Sequence, residues 1–168
     1  MAYICDYYTT KMGSIGNYER SDNQVRRDTL ELYAVTIKLK ETYNECQYYM
    51  SFEGLKNFYE TSFFTKSKFC NQLHDHIKSR NTFDLFLPKA KSIYYITHIT
   101  FCLIFKSNEI KYLLKKALQL EEKSADILNK MVDQHTVKNS ELEDFIRVHA
   151  HQQPGRISAL RKMINTYY

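Results

Sequence analysis

Residues 108–132, NEIKYLLKKALQLEEKSADILNKMV, constrain this chain more than any other stretch. Ile110, Leu114, Ala117, Glu121, Ser124, Leu128 and Met131 recur at steps of three and four, which puts them on one face of a helix. That face is apolar except at Glu121. A carboxylate inside an apolar stripe is costly to bury alone. Either Glu121 sits at the edge of the stripe and reaches water along its stem, or it needs a cation, a metal or a proton. The second case requires a partner elsewhere in the chain.

The 168 residues are enough for one domain with one core. Two prolines and four glycines are few, which favours long helices over a turn-rich β fold. Residues 1–21 show no period and read as a loose arm. Residues 22–50 read as a first helix, with Gln24, Arg27, Glu31, Ala34, Lys38 and Glu41 on one face and Leu30, Val35 and Ile37 beside it. Thr36 to Lys40 also alternates like a strand, and the length without Gly or Pro decides for helix. Residues 52–80 read as a second helix, whose face carries Leu55, Phe58, Ser62, Lys66, Phe69, Leu73 and His76. One ion, Lys66, stands in that row.

Residues 81–107 differ in kind. They start with a loop, with Pro88 as a stop, and continue as SIYYITHITFCLIF, with no charge between Lys91 and Lys106. The run could form a strand, a buried crossover, an oligomer contact or an insertion foreign to the fold. Left in water it would be an aggregation hazard. The third helix is 108–133. Ser140 and Glu143 can cap a fourth, 140–165, with Leu142, Phe145, Ile146, His149, Gln153, Ile157, Leu160 and Ile164 on its face. Pro154 cannot donate to the carbonyl of Ala150, so a kink or break is expected there. The expected fold is all-α: a single domain of four helices, with a long crossover joining the second to the third and bringing them parallel. Glu31, Lys66, Glu121 and Gln153 would then converge on one internal site.

Net charge is +5, a mild tilt with the basic residues spread along the chain, so no nucleic-acid partner is expected. No apolar run of membrane-spanning length occurs, and no membrane association is expected. Cys5, Cys46, Cys70 and Cys102 lack metal spacing and read as reduced thiols of an intracellular, cytoplasmic protein. The first ten residues have neither a basic segment nor an apolar one, so no secretory signal is expected. His74 with His76, and His149 with His151, are two apart and do not share a helix face, which argues against zinc. Tyr43, Tyr48 and Tyr49 read as packing groups rather than a redox relay.

The residues also carry a resemblance. TLELYA (29–34), SFEGLKNF (51–58), LQLEEK (118–123) and SELEDFIRVHAHQQ (140–153) are similar, in order and helical phase, to the four helix motifs of the ferritin family. That resemblance implies a ferritin-like up-down four-helix bundle, with Glu31 and Glu121 in metal-ligand places and Gln153 near them. It also implies a degenerate ferroxidase centre. In the second helix Lys66 stands in a ligand place and Phe69 in the place of the histidine three residues on. In the first, Lys38 replaces the tyrosine seven after the Glu, and Gln152 stands where a Glu is common in the fourth. Lys66 either points to solvent or supplies a fixed positive charge where a metal would lie. The latter is similar to the light-chain type of ferritin subunit, which has no oxidase centre.

The function implied is intracellular iron storage and homeostasis, by a subunit that acts structurally or in mineral nucleation without oxidising iron itself. Iron would be present as stored mineral and not at an intact di-iron site. Partners would be copies of this chain or other ferritin subunits. The alternative is a ferritin-derived helical interaction protein that no longer handles iron. Three features depart from the family: a positive net charge where the shells are acidic, no short fifth helix after the fourth, and Pro154-Gly155 beside Gln153.

Overall fold

A computed structural model describes the backbone of residues 3–49, 53–80, 82–105, 109–133 and 140–167, and side chains over 23–48, 55–80, 84–86, 88–100, 110–133 and 142–166. Among them the chain is all-α, with five helices and no strand: α1 (Tyr3–Tyr49), α2 (Glu53–Arg80), α3 (Phe86–Phe105), α4 (Glu109–Asp133) and α5 (Ser140–Tyr167). A 3-10 turn, Thr82–Leu85, leads into α3. The first helix begins at Tyr3 and not near residue 22, so the expected loose arm is helical in its backbone from that residue on.

Each helix buries a stripe at helical spacing. On α4 the stripe is the one read from the sequence: Leu114, Ala117, Glu121, Ser124, Leu128 and Met131 are all buried. Each fully buried Leu or Met side chain contributes roughly 1.5–3 kcal/mol of transfer free energy. On α5 Leu142, Ile146, His149, Gln153 and Leu160 are buried, again the expected face. On α2 the row Ser62, Lys66, Phe69 and Leu73 turns inward, joined by Tyr59 and Ile77.

The expected face of α1 is corrected. Val25, Asp28, Leu32, Val35, Thr36, Leu39, Tyr43 and Cys46 are buried, whereas Arg27 and Glu31 are exposed. The buried set steps by three and four as regularly as the stripe of α4. It differs by little more than one position from the polar row chosen in the sequence, and that shift takes a residue to another side of the helix.

Contacts between side chains fix the helix directions. Tyr33 bonds His74, and Tyr43 packs on Tyr59, so α1 and α2 are antiparallel. Asp28 holds Lys130 and Glu31 holds Lys123, so α4 also opposes α1. Ser124 meets Gln153 and Glu122 meets Arg161, so α5 opposes α4. Phe69 stacks on His149 and the Tyr59 hydroxyl donates to Met163 Sδ, which closes α5 against α2. It follows that α2 and α4 run the same way, as the long connection between them requires.

That connection contains α3, and the strand reading of 92–105 is corrected. Pro88 lies in the first turn of α3, where its missing N–H has no helical acceptor to lose, so it starts the helix instead of stopping the chain. Ser92, Tyr95 and Ile99 form the buried line of α3, and Phe86, Ile93 and Tyr94 face outward. The helix lies against α1 and runs in the same direction. Arg26 Nε donates to Asp84 at 2.7 Å near one end, and the Thr42 and Tyr95 hydroxyls share a hydrogen bond of 2.9 Å further along.

The break expected at Pro154 does not occur, because α5 continues through it. No helix among the described residues is long and apolar enough to cross a membrane. Cys46 and Cys70 are free and buried, and burial pushes both thiols up, Cys70 to about 11.

Candidate functional site: a buried lysine–glutamate–tyrosine centre

Glu121 sits midway along α4 with no exposed surface. Lys66 of α2 reaches it from one side, its ammonium donating to Oε2 at 2.7 Å. Tyr43 of α1 reaches it from the other, its hydroxyl donating to Oε1 at 2.6 Å. Lys66 is 1% exposed and Tyr43 fully buried. The cation, the anion and the neutral phenol sum to zero charge, and both carboxylate oxygens have a donor. That is the condition under which a buried ion pair is tolerated.

The electrostatics follow from burial. Desolvation pulls the Lys66 ammonium below the usual lysine range, and the adjoining Glu121 carboxylate opposes it. Burial holds the Tyr43 phenol well above its ordinary value, and Glu121 adds to the effect by its charge and its hydrogen bond. Tyr43 is therefore a permanent donor, and the positive charge at the centre belongs to Lys66. The guanidinium of Arg156 on α5 adds to the lowering of Lys66 and opposes in part the raising of Tyr43.

Phe69, one turn along α2 from Lys66, stacks against His149 of α5, with ring centroids 3.7 Å apart and planes 25° apart. An imidazole thus lies beside the centre, on α5 and not on α2. Burial, with a contribution from the Lys66 charge, lowers His149 to about 4, so the ring is neutral at pH 7. Next to it on α5, the Gln153 amide donates to the Ser124 hydroxyl at 3.0 Å, while its own oxygen is buried without a partner.

The sequence-predicted residues therefore divide. Lys66, Phe69, Glu121 and Gln153 all face the interior. Glu31 does not converge with them: it lies on the outer side of α1, half-exposed, with Lys123 as its partner at 2.7 Å. Lys66 is the counter-ion of Glu121 alone. Lys38 lies outside as well, its ammonium 5.2 Å from the centre of the Tyr95 ring. His149 is buried and His151 exposed, so that pair does not meet.

Tyr43 is the group that sequence reasoning assigned to packing only. Its membership of the buried stripe Leu32, Thr36, Leu39, Tyr43 was the available signal, because a phenol buried in a core needs a hydrogen-bond partner.

These residues do not fit a di-iron centre. Such a centre takes carboxylates and imidazoles around two cations. Here an ammonium occupies one oxygen of Glu121 and a phenol the other, and Glu31 is on the surface. Among the described residues no group of three or more His, Cys, Asp or Glu side chains is assembled that could hold a metal ion. The arrangement joins three helices through one carboxylate. Compared with known protein families, with curated proteins and with solved structures, the chain matches none.

Proposed function

We propose that this chain is a ferritin-like subunit that serves intracellular iron storage structurally and has no ferroxidase activity of its own. The observation that carries the reading is the buried Lys66 ammonium on Glu121, in the place where the resemblance expects a metal. An ammonium there repels cations and satisfies the carboxylate that would ligate them. The helix directions support it: two antiparallel pairs, with a long connection between parallel α2 and α4.

The first helix adds to this. In the motif the tyrosine follows the ligand Glu by seven residues. The tyrosine that reaches Glu121 is Tyr43, and seven before it stands Thr36, buried, with its hydroxyl donating to the Leu32 carbonyl. On that register the first-helix carboxylate is missing too, and Glu31 belongs to the surface.

The outward Phe86, Ile93 and Tyr94 of α3 support assembly with copies of this chain or with ferritin subunits. Size-exclusion chromatography with oxygen-uptake measurement on added Fe(II) tests both parts. Expected are an oligomer and oxidation no faster than in buffer. A fast stoichiometric phase of oxygen consumption defeats the non-oxidase reading, and a monomer at micromolar concentration defeats assembly.

The second reading is a helical interaction protein that no longer handles iron. It is favoured by the outward position of Glu31, which leaves Glu121 as the only expected ligand carboxylate facing inward. Iron content after purification separates the two: mineral iron in the particle supports the first reading, and its absence after loading supports the second.

A further inference from the structure

A cleft of about 480 Å³ lies between α1, the start of α3 and α4. Its walls include Leu30, Ala34, Val35 and Pro88, and its charged groups are Lys38, Lys91, Lys123, Glu31 and Asp84. The two carboxylates are engaged: Asp84 by Arg26, and Glu31 by Lys123. Lys38 and Lys91 have no carboxylate partner among the described residues. We propose that this cleft is a binding site for a small phosphate monoester, whose phosphate lies between Lys38 and Lys91 and whose organic part lies on the apolar wall.

Three arguments carry the assignment. The first is charge. Arg26 cancels Asp84, and three ammonium groups against Glu31 leave two positive charges, which a phosphate monoester balances near neutral pH. A monocarboxylate would leave one uncompensated.

The second is position. Lys38 is half-buried, with its ammonium held over the Tyr95 ring 5.2 Å from its centre, and it lines the cleft together with Lys91. Lysine binds phosphate as a point charge and needs no planar fork of donors.

The third is the cost of the arrangement without an anion. Burial lowers the Lys38 pKa, and the nearby charges of Lys123, Lys116 and Lys91 lower it further. A concave, partly apolar surface with an excess of one sign of charge concentrates ligands of the opposite sign.

Isothermal titration of the full chain with phenyl phosphate, at fixed ionic strength, tests the site. Benzoate serves as the monoanionic arm and inorganic phosphate as the arm without an organic part. Saturable binding is expected, tightest for phenyl phosphate. It should weaken at least about tenfold in Lys38→Gln and in Lys91→Gln, because each removes a charge-assisted contact. Lys91 is exposed on α3, so its variant tests the site even if Lys38→Gln folds poorly. Lys56→Gln, exposed on α2 away from the cleft, should bind as the parent does. Absence of saturable binding overturns the proposal. So does benzoate binding as tightly as phenyl phosphate, or an equal loss in Lys56→Gln.

Discussion

Two lysine–glutamate pairs in this molecule have the same length and opposite surroundings. Lys66–Glu121 and Lys123–Glu31 are both 2.7 Å apart, yet the first pair is 1% and 0% exposed and the second 53% and 49%. The inner pair has lost its water and must satisfy its charges within the protein. The outer pair keeps its water and is screened by salt. Distance alone would rank them equal. Burial decides what each is worth, and which of them a mutation can damage.

The largest effect should come from breaking the inner pair on one side. Lys66→Met leaves Glu121 buried with only the Tyr43 hydroxyl, and urea denaturation should show a loss of about 3–5 kcal/mol. Adding Glu121→Leu should restore part of that loss, since a buried pair replaced by apolar groups of similar volume is often neutral or stabilising, while the Tyr43 hydroxyl loses its acceptor. If the double variant is no more stable than Lys66→Met, the damage comes from packing and not from the stranded charge.

Tyr43→Phe removes the second donor and keeps the ring. Stability should fall by about 1.5–3 kcal/mol, the range for a hydrogen bond to a charged group. A change within measurement error would mean that Lys66 satisfies Glu121 alone.

The helical content and the four main helices were legible because the pattern was dense: the α4 stripe of the sequence is the α4 stripe of the core. Lys66 could be singled out because it was the one ion in its row. The α1 face was not legible in the same way. Glu31 sits in a motif that draws attention, while the true inner row mixes Asp28, Thr29 and Thr36 with Val25, Leu32 and Leu39, which blurs its apolar period. Short side-chain bonds to the preceding turn satisfy the threonines, at 2.7 Å for Thr29 to Val25 and for Thr36 to Leu32, so polar residues can sit on a buried face. In α3 the β-branched and aromatic run suggested a strand, and packing against α1 overrides that preference. The Lys38 cleft was not legible at all, because its lysines come from three helices.

The environment of the inner pair should also show in acid. The folded-state pKa of His149, about 4, lies below its ordinary 6.5. Between those values the unfolded chain binds more protons, so stability should be full above pH 6.5 and decline as the pH falls toward 4. His149→Phe, which can keep the stack on Phe69, should flatten this part of the profile. A variant whose profile overlays that of the parent would show that another group governs the decline.

The smallest effect should be at the surface. Glu31→Ala should cost less than about 1 kcal/mol and should matter less still in high salt. A larger cost would place Glu31 in a role that its exposure does not suggest.

The most direct test of the account is a double-mutant cycle on Lys66 and Glu121, using Lys66→Met, Glu121→Gln and the two combined, with stability from denaturant unfolding at pH 7. The two residues are in contact, so their effects should not add. If Lys66 is the buried counter-ion of Glu121, the coupling should be at least about 2 kcal/mol, well above the ~0–1 kcal/mol of an exposed pair. Additive effects, with coupling below about 0.5 kcal/mol, would contradict it.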